Sequence, residues 1–179
     1  MLLDIDFLKT HKKMIHFFGL GFVQLKLDEN IRMHFYHPDL MPIVHEEEIH
    51  NHRYDFISTI LAGELTQELF EIRDGLSNYY MIEENCKQEK LSNPVSKDVT
   101  VKSLGKRTFS KGESYTILTS DFHTVSTNYA ITRLYRGNVI LDNALIVKKR
   151  GEKTVCPFSK KLTENDCWLI VEDCINRSL

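Results

Sequence analysis

Short runs in which polar and apolar residues alternate, separated by turn-forming residues, fill most of this chain and constrain its fold more than any other feature. The runs cover residues 23–27, 31–36, 49–55, 56–62, 65–73, 79–83, 99–104, 107–110, 114–118, 123–126, 130–135 and 144–148. Alternation with a period of two is typical of β-strands that bury one face. Many short strands joined by turns predict an all-β sandwich or barrel.

The two ends of the chain have a different pattern. In residues 1–18, charged residues interrupt an apolar series, which predicts a short amphipathic N-terminal helix. Thr163 precedes Asp166 and the apolar run 168–171, which predicts a C-terminal helix over 161–177 with Thr163 as its N-cap. Residues 22–150 are predicted to form the β-barrel of a single domain, because a chain of 179 residues suits one core rather than two.

Composition excludes several classes of partner. A net charge of -2 and a pI near 6.4 give no reason to expect binding to nucleic acid or to an anionic membrane. No apolar run is long enough for a signal peptide core or a bilayer span, and the four cysteines form no C-x-x-C pair. We therefore expect a cytoplasmic protein with reduced thiols and a small-molecule substrate. The sequence leaves open whether the chain is a monomer or a homodimer.

A pair of histidines one residue apart is the main chemical signal. His50 and His52 point to the same face if the segment is extended. Two imidazoles on one face can bind a metal ion, and His123 from a distant strand would complete a facial set with open coordination positions. The same alternation puts Asp55 on the opposite face and Phe56 inward, which favours three histidines over a set that includes a carboxylate.

The alternative interpretation is that these histidines are polar residues on a half-exposed strand. Without His123 that interpretation would be preferred for His50 and His52, because isolated surface histidines are common. The remaining histidines near the strands are expected on the surface or in loops: His34, His37 and His45.

The spacing of the histidines and two glycines resembles the motifs of the cupin superfamily. The first cupin motif is similar to residues 50–64, where H-x-H is followed by an apolar strand that ends in Gly63-Glu64. The second is similar to residues 112–123, where Gly112 lies eleven residues before His123. The family's acidic ligand position is occupied by Phe56. The resemblance implies a double-stranded β-helix, the cupin or jelly-roll barrel.

Within that superfamily the chain resembles the cysteine (thiol) dioxygenases most. This likeness implies a mononuclear Fe(II) held by His50, His52 and His123, with another divalent transition metal as the alternative, and an active-site tyrosine at Tyr135. The family's crosslinking cysteine is replaced by Phe56, and the histidine of its Ser-His-Tyr relay is replaced by Arg133.

The resemblance also implies an arginine that grips a substrate carboxylate, for which Arg32 and Arg53 are the candidates. The expected function is a mononuclear iron dioxygenase that acts on a small polar or anionic metabolite, with Tyr135 assisting. Two alternatives remain open. One is a metal-independent epimerase or isomerase that uses His123 as base and Tyr135 as acid. The other is a non-catalytic module that binds a small molecule or nucleotide.

Overall fold

The computed structural model describes residues 3–40, 48–84, 96–151 and 161–179. These residues form a predominantly β structure with antiparallel strands and two helices, as the alternating runs predict. The elements in chain order are α1 (Ile5–His11), β1 (Met14–Phe18), β2 (Phe22–Lys26), β3 (Ile31–Tyr36), β4 (Ile49–His50), β5 (Tyr54–Glu84), β6 (Ser96–Ser110), β7 (Ser114–Ile117), β8 (Phe122–Ser126), β9 (Ala130–Val139), β10 (Ala144–Lys149) and α2 (Glu164–Asn176).

One long strand, β5, connects two sheets. Its residues 54–63 pair with β9 in the first sheet, which also contains β1, β2, β3 and β7. Its residues 64–82 pair with β6 in the second sheet, which also contains β4, β8 and β10. The sequence predicts separate strands over this stretch, but the structure joins them, with a register shift between Asp74 and Tyr79. Hydrogen bonding to different partners on each side keeps the chain extended throughout.

The two sheets face each other across a mainly apolar contact. Phe22, Tyr36 and Ile60 from the first sheet pack with Leu65 and Phe109 from the second. The opposite face of the first sheet packs against the helices, in a core that includes Val23, Leu25, Met33, Phe35, Trp168, Val171 and Cys174. Both faces of β2, β3 and β9 are therefore covered over much of their length, so these strands bury side chains in two directions.

The helix predicted over residues 1–18 is wrong in its second half. Helix α1 ends at His11, and residues 14–18 form β1, which pairs with β2. In β1, Ile15 and Phe17 pack in the core beside the helices. As a strand, residues 14–18 gain backbone hydrogen bonds to β2 in place of those of a continued helix. The strand conformation also puts the side chains of Ile15 and Phe17 on one face, where they pack in the core.

The C-terminal helix is confirmed. Thr163 caps α2 in a reciprocal arrangement with Asp166, in which each side chain accepts a hydrogen bond from the other residue's backbone N–H. Cys167 and Cys174 are free thiols buried on its core face, and burial raises the pKa of Cys174 to about 12. Neither described helix has the length and apolar character needed to cross a lipid bilayer.

Candidate metal centre

Three histidines from two distant segments of the chain converge in the second sheet. His50 on β4 lies directly opposite His123 on β8, and His52 follows two residues after His50. One ring nitrogen from each residue lies within 4.8 Å of those of the other two. The ring centroids are 4.9 to 5.0 Å apart. The predicted proximity of His123 to the H-x-H pair is confirmed.

The short strand β4 is held on both sides. It pairs with β8 and with β10, and these strands in turn pair with two different segments of β5. His50 therefore projects from a two-residue strand whose backbone is fixed by its neighbours. A rigid backbone under ligating side chains is what a defined coordination site requires.

Asn51, between the two histidines, is a positioning residue that the sequence analysis missed. It is buried, its Nδ2 donates to the Thr119 carbonyl at 2.9 Å, and its Oδ1 accepts from the Leu145 N–H at 2.7 Å. These bonds tie the H-x-H segment to the β7–β8 turn and to β10. Burial of an asparagine is uncommon without such partners, but the sequence alone does not reveal which residues bury it.

We expect Asn51→Ala to lower the free energy of unfolding by about 2 kcal/mol, because it leaves two partly buried backbone groups, the Thr119 carbonyl and the Leu145 N–H, without their side-chain partner. It should also weaken binding of Zn(II) by about tenfold or more, since His50 and His52 lose their anchor. Urea unfolding and metal titration measure the two effects. Asn138→Ala, at an exposed position of β9, is the control. Equal behaviour of the two variants would contradict the positioning role.

All three imidazoles are held neutral. Burial lowers the pKa of His50, partly offset by its hydrogen bond to the Glu48 carbonyl. Burial also lowers the pKa values of His52 and His123 well below the usual range, and the neighbouring imidazole of His50 adds to both shifts. A neutral imidazole offers a lone pair, which is the form that binds a metal ion.

The hydrogen bonds fit a ligand set with one adjustment. His50 Nδ1 lies 2.9 Å from the Glu48 carbonyl oxygen, which assigns its proton to Nδ1 and leaves Nε2 as a donor atom for a metal. His52 Nε2 and His123 Nε2 lie 2.8 Å apart, close to the spacing of about 3 Å for two nitrogens bound at right angles to one metal. Without a metal, one of these nitrogens carries a proton, and ligation through both atoms requires that proton to move to Nδ1.

No carboxylate joins the three imidazoles among the described residues. The Asp55 carboxylate accepts a hydrogen bond from the Thr119 N–H at 2.6 Å. The Phe56 side chain is buried, and its ring lies 4.8 Å from that of His52. The predicted orientations, with Asp55 turned away from the histidines and Phe56 turned inward, are confirmed.

The structure brings Arg32 to the neighbourhood of the histidines. Arg32 Nη1 donates to the Tyr54 hydroxyl at 2.8 Å, and the Tyr54 ring lies 6.0 Å from that of His52. The positive charge of Arg32 is also one cause of the lowered pKa of His52. Sequence reasoning missed Tyr54, although its position two residues after His52 on an alternating strand was the available signal.

His34 is not the surface residue that the sequence analysis expected. Its Nε2 lies 3.0 Å from Gln24 Nε2, and its ring packs against Phe22 and Tyr36 on the inner face of the first sheet. Burial, with help from Arg32, lowers the pKa of His34 to about 3. His37 is also buried, with Nε2 2.6 Å from the Asp173 carboxylate, whereas His45 lies outside the described residues.

Of the two other predicted site residues, Tyr135 is turned away from the histidines, and Arg53, next to His52 in the chain, is bonded to the segment after β9. Tyr135 on β9 is 56% exposed and shares its face with Ile57, opposite to the face that carries its neighbour Leu134. Alternation turns Tyr135 outward because its neighbour Leu134 is in the core, so the structure does not bring the Tyr135 hydroxyl to the histidines. Arg53 donates through Nε to the Leu141 carbonyl at 3.1 Å and braces the segment that follows β9.

Neither the known protein-family models nor the curated proteins include a match to this chain.

Proposed function

We propose that this protein is a metal-dependent oxidoreductase, a mononuclear iron dioxygenase that acts on a small anionic metabolite. The observation that carries the proposal is the cluster of His50, His52 and His123, whose ligand atoms lie within 4.8 Å of one another. Three neutral imidazoles from a braced sheet are a donor set suited to a divalent transition metal. Packing alone gives no reason to bring three imidazoles together out of water.

The composition of the donor set favours catalysis over a purely structural metal. Structural sites are usually closed by four protein ligands, whereas three ligands leave coordination positions for substrate and oxygen. Iron, when bound there, would supply redox chemistry and Lewis acidity. Because the imidazoles are neutral, they leave the charge of the ion uncancelled, which favours an anionic substrate.

The surrounding side chains have roles that follow from their contacts. Arg32 would attract and orient the anionic group of the substrate, because its guanidinium is held by the Tyr54 hydroxyl on the side of His52. Phe56 would limit access of water to one side of the histidines, since its ring packs against His52 and lies near His123. His34 stays neutral and lies near Arg32 and His52.

We further propose that the two facing sheets form a cupin-type double-stranded β-helix. Several features support this interpretation: the strands pair antiparallel, β5 is shared by both sheets, and His50 and His123 lie on paired neighbouring strands. Gly63 and Gly112, the two glycines of the resembling motifs, both adopt positive φ, of 69° and 91°.

The two alternatives from the sequence have less support. An epimerase that pairs His123 with Tyr135 would need both groups on one substrate, and Tyr135 lies on the outward face. A non-catalytic binding module remains the main competitor, and an activity test distinguishes it from an oxygenase.

Oxygen consumption tests the proposal. Tag-free protein is analysed for metals, stripped with a chelator, and reconstituted with Fe(II) or with Zn(II). Both metals should bind near one equivalent, but only the iron form should consume oxygen with a panel of small thiols and carboxylic acids, since zinc has no redox chemistry.

Failure of the chain to take up either metal would overturn the proposal outright. Metal uptake with no oxygen consumption by the iron form across the panel would also overturn the oxygenase assignment and favour a binding module. Conversion of a panel compound that consumes no oxygen and survives chelation would instead favour an epimerase or isomerase.

A further inference from the structure

We propose that Lys26, Arg32 and Arg136 form an anion-binding site for a doubly charged phosphate group, placed beside the histidine cluster. The corresponding substrate class is a small phosphorylated metabolite whose other end reaches the histidines. This substrate assignment rests on the proposed function, whereas the anion site itself depends on the three cations alone.

The three cations lie together at one end of the inner face of the first sheet. Lys26 on β2 is directly opposite Arg32 on β3, and β3 pairs in turn with β9, which carries Arg136. Alternation on β9 puts Arg136 on the same face as Leu134, the residue opposite Arg32. The charges of Arg32 and Arg136 both contribute to the lowered pKa of Lys26, after its burial.

Tyr54 holds the two guanidinium groups in place. The Arg32 Cζ lies 5.2 Å and the Arg136 Cζ 5.1 Å from the centre of its ring. Arg32 also donates to the Tyr54 hydroxyl, and Arg136 Nε donates to the backbone carbonyl of Glu29 at 2.5 Å. Two fixed guanidiniums on one aromatic ring are preorganised donors, so little side-chain entropy is lost when an anion binds.

Ion pairs with carboxylates do not account for these three positive charges in the part of the chain that the structure describes. Within residues 3–40, 48–84, 96–151 and 161–179, none of the three cations forms an ion pair. The carboxylate of Glu29 acts on Lys26 from a distance, but it lies 3.3 Å from Lys13 Nζ and is 79% exposed. Repulsion between like charges that have no nearby counter-charge destabilises the folded chain. A bound anion would reduce this repulsion.

Arg32 retains hydrogen-bonding capacity toward such an anion. Its Nε is buried and has no hydrogen-bond partner among the described residues. A buried N–H of a guanidinium without an acceptor costs free energy, and such a group in a native protein calls for an explanation. A phosphate oxygen is a suitable acceptor, because guanidinium and phosphate match in charge and geometry.

The position of the site relative to the histidines limits the size of the substrate. Tyr54 contacts the two arginines and also lies 6.0 Å, ring to ring, from His52. The phosphate site and the histidine cluster are thus separated by about the width of one side chain. A molecule with a few atoms between its phosphate and its reacting group would reach both the cations and the histidines. Three cations also attract a phosphate dianion more strongly than a singly charged carboxylate.

The test measures binding of inorganic phosphate to metal-free protein by titration calorimetry, at a pH above the second pKa of phosphate. Acetate at the same ionic strength is the singly charged probe. We expect saturable binding of phosphate that is stronger than binding of acetate, and a loss of about tenfold or more in phosphate affinity in Arg136→Gln and Lys26→Gln. Arg133→Gln is the matched control, because Arg133 is exposed and alternation puts it on the opposite face of β9 from Arg136.

Three outcomes would overturn the proposal: no saturable phosphate binding by the wild type, equal affinity for acetate, or equal losses in Arg136→Gln and Arg133→Gln. Thermal unfolding of each variant shows that it is folded. The Zn(II) affinity of the same variants is measured separately and should be unchanged. Phosphate binding without any metal uptake by the wild type would uphold the anion site while rejecting the proposed oxygenase, so the two failures are distinguishable.

Discussion

His50→Ala, His52→Ala and His123→Ala should each weaken binding of Zn(II) or Fe(II) by about a hundredfold or more, which corresponds to about 2.7 kcal/mol. Each variant removes one of the three ligand atoms that lie within 4.8 Å of one another, and two remaining imidazoles form a far weaker site. Metal titration of chelator-stripped protein measures the change directly.

Thermal unfolding gives an independent readout of the same effect. A metal that binds the folded chain and not the unfolded one stabilises it by about 2.7 kcal/mol at a concentration of about 100 times its dissociation constant. Added metal should therefore raise the Tm of the wild type and leave the Tm of the three variants nearly unchanged.

His11→Ala is the control for these variants. His11 ends α1 on the surface, where its ring stacks on that of Phe7, and it is distant in the fold from β4 and β8. The His11→Ala variant should bind metal as tightly as the wild type does. If any of the three site variants bound metal as tightly as His11→Ala, that histidine would not be a ligand.

Gly63→Ala should lower the free energy of unfolding by about 3 kcal/mol or more. Gly63 has a φ of 69°, in the left-handed region that side chains disfavour. A Cβ at this position would also lie 2.2 Å from the carbonyl oxygen of Tyr129. This oxygen belongs to the backbone and cannot move aside as the end of a flexible side chain can.

Tyr129 is fixed from both sides, which is why the clash has no inexpensive relief. Its hydroxyl donates to the backbone carbonyl of Cys174 on α2 at 2.8 Å, and its N–H donates to the Thr127 hydroxyl. The next residue, Ala130, is buried and pairs with Gly63 across β9 and β5. A shift of Tyr129 would disturb the contact between the sheet and the helix.

Gly112→Ala is the matched control, because it shares the positive φ without the clash. Gly112 has a φ of 91°, and a Cβ there would meet no atom within 4 Å. The variant should lose about 1 to 2 kcal/mol, the cost of the backbone conformation alone. Urea unfolding of both variants, with unchanged m-values, gives the difference. Equal losses in the two variants would show that the approach of Tyr129 to Gly63 is not rigid.

Much of the fold follows from local sequence patterns. Period-two alternation predicts the strands around residues 31–36, 114–118 and 130–135. Successive side chains of a strand point to opposite faces, and two faces with different surroundings select different residue types in turn. Thr163 and Asp166 predict the start of α2, since capping uses only neighbouring residues. The end of α1 escaped prediction because β1 forms only when β2 is beside it.

For the candidate site too, local sequence patterns predict some features and not others. Alternation along one segment is sufficient to put His50 and His52 on one face, with Phe56 on the inward side and Asp55 turned away, and the structure agrees. Tyr135 shows the limit of the same argument. Alternation separates it from Leu134, but it does not say which of the two faces the core.

The sequence by itself determined the all-β class, the C-terminal helix and the two sets of histidines, because these depend on residues close together along the chain. Tertiary structure decided that β4 and β8 are neighbours, which brings His123 to His50. It also decided that Lys26, Arg32 and Arg136 gather around Tyr54 and that Tyr135 faces outward. Pairing between distant strands depends on the packing of the whole core, so no local pattern encodes it.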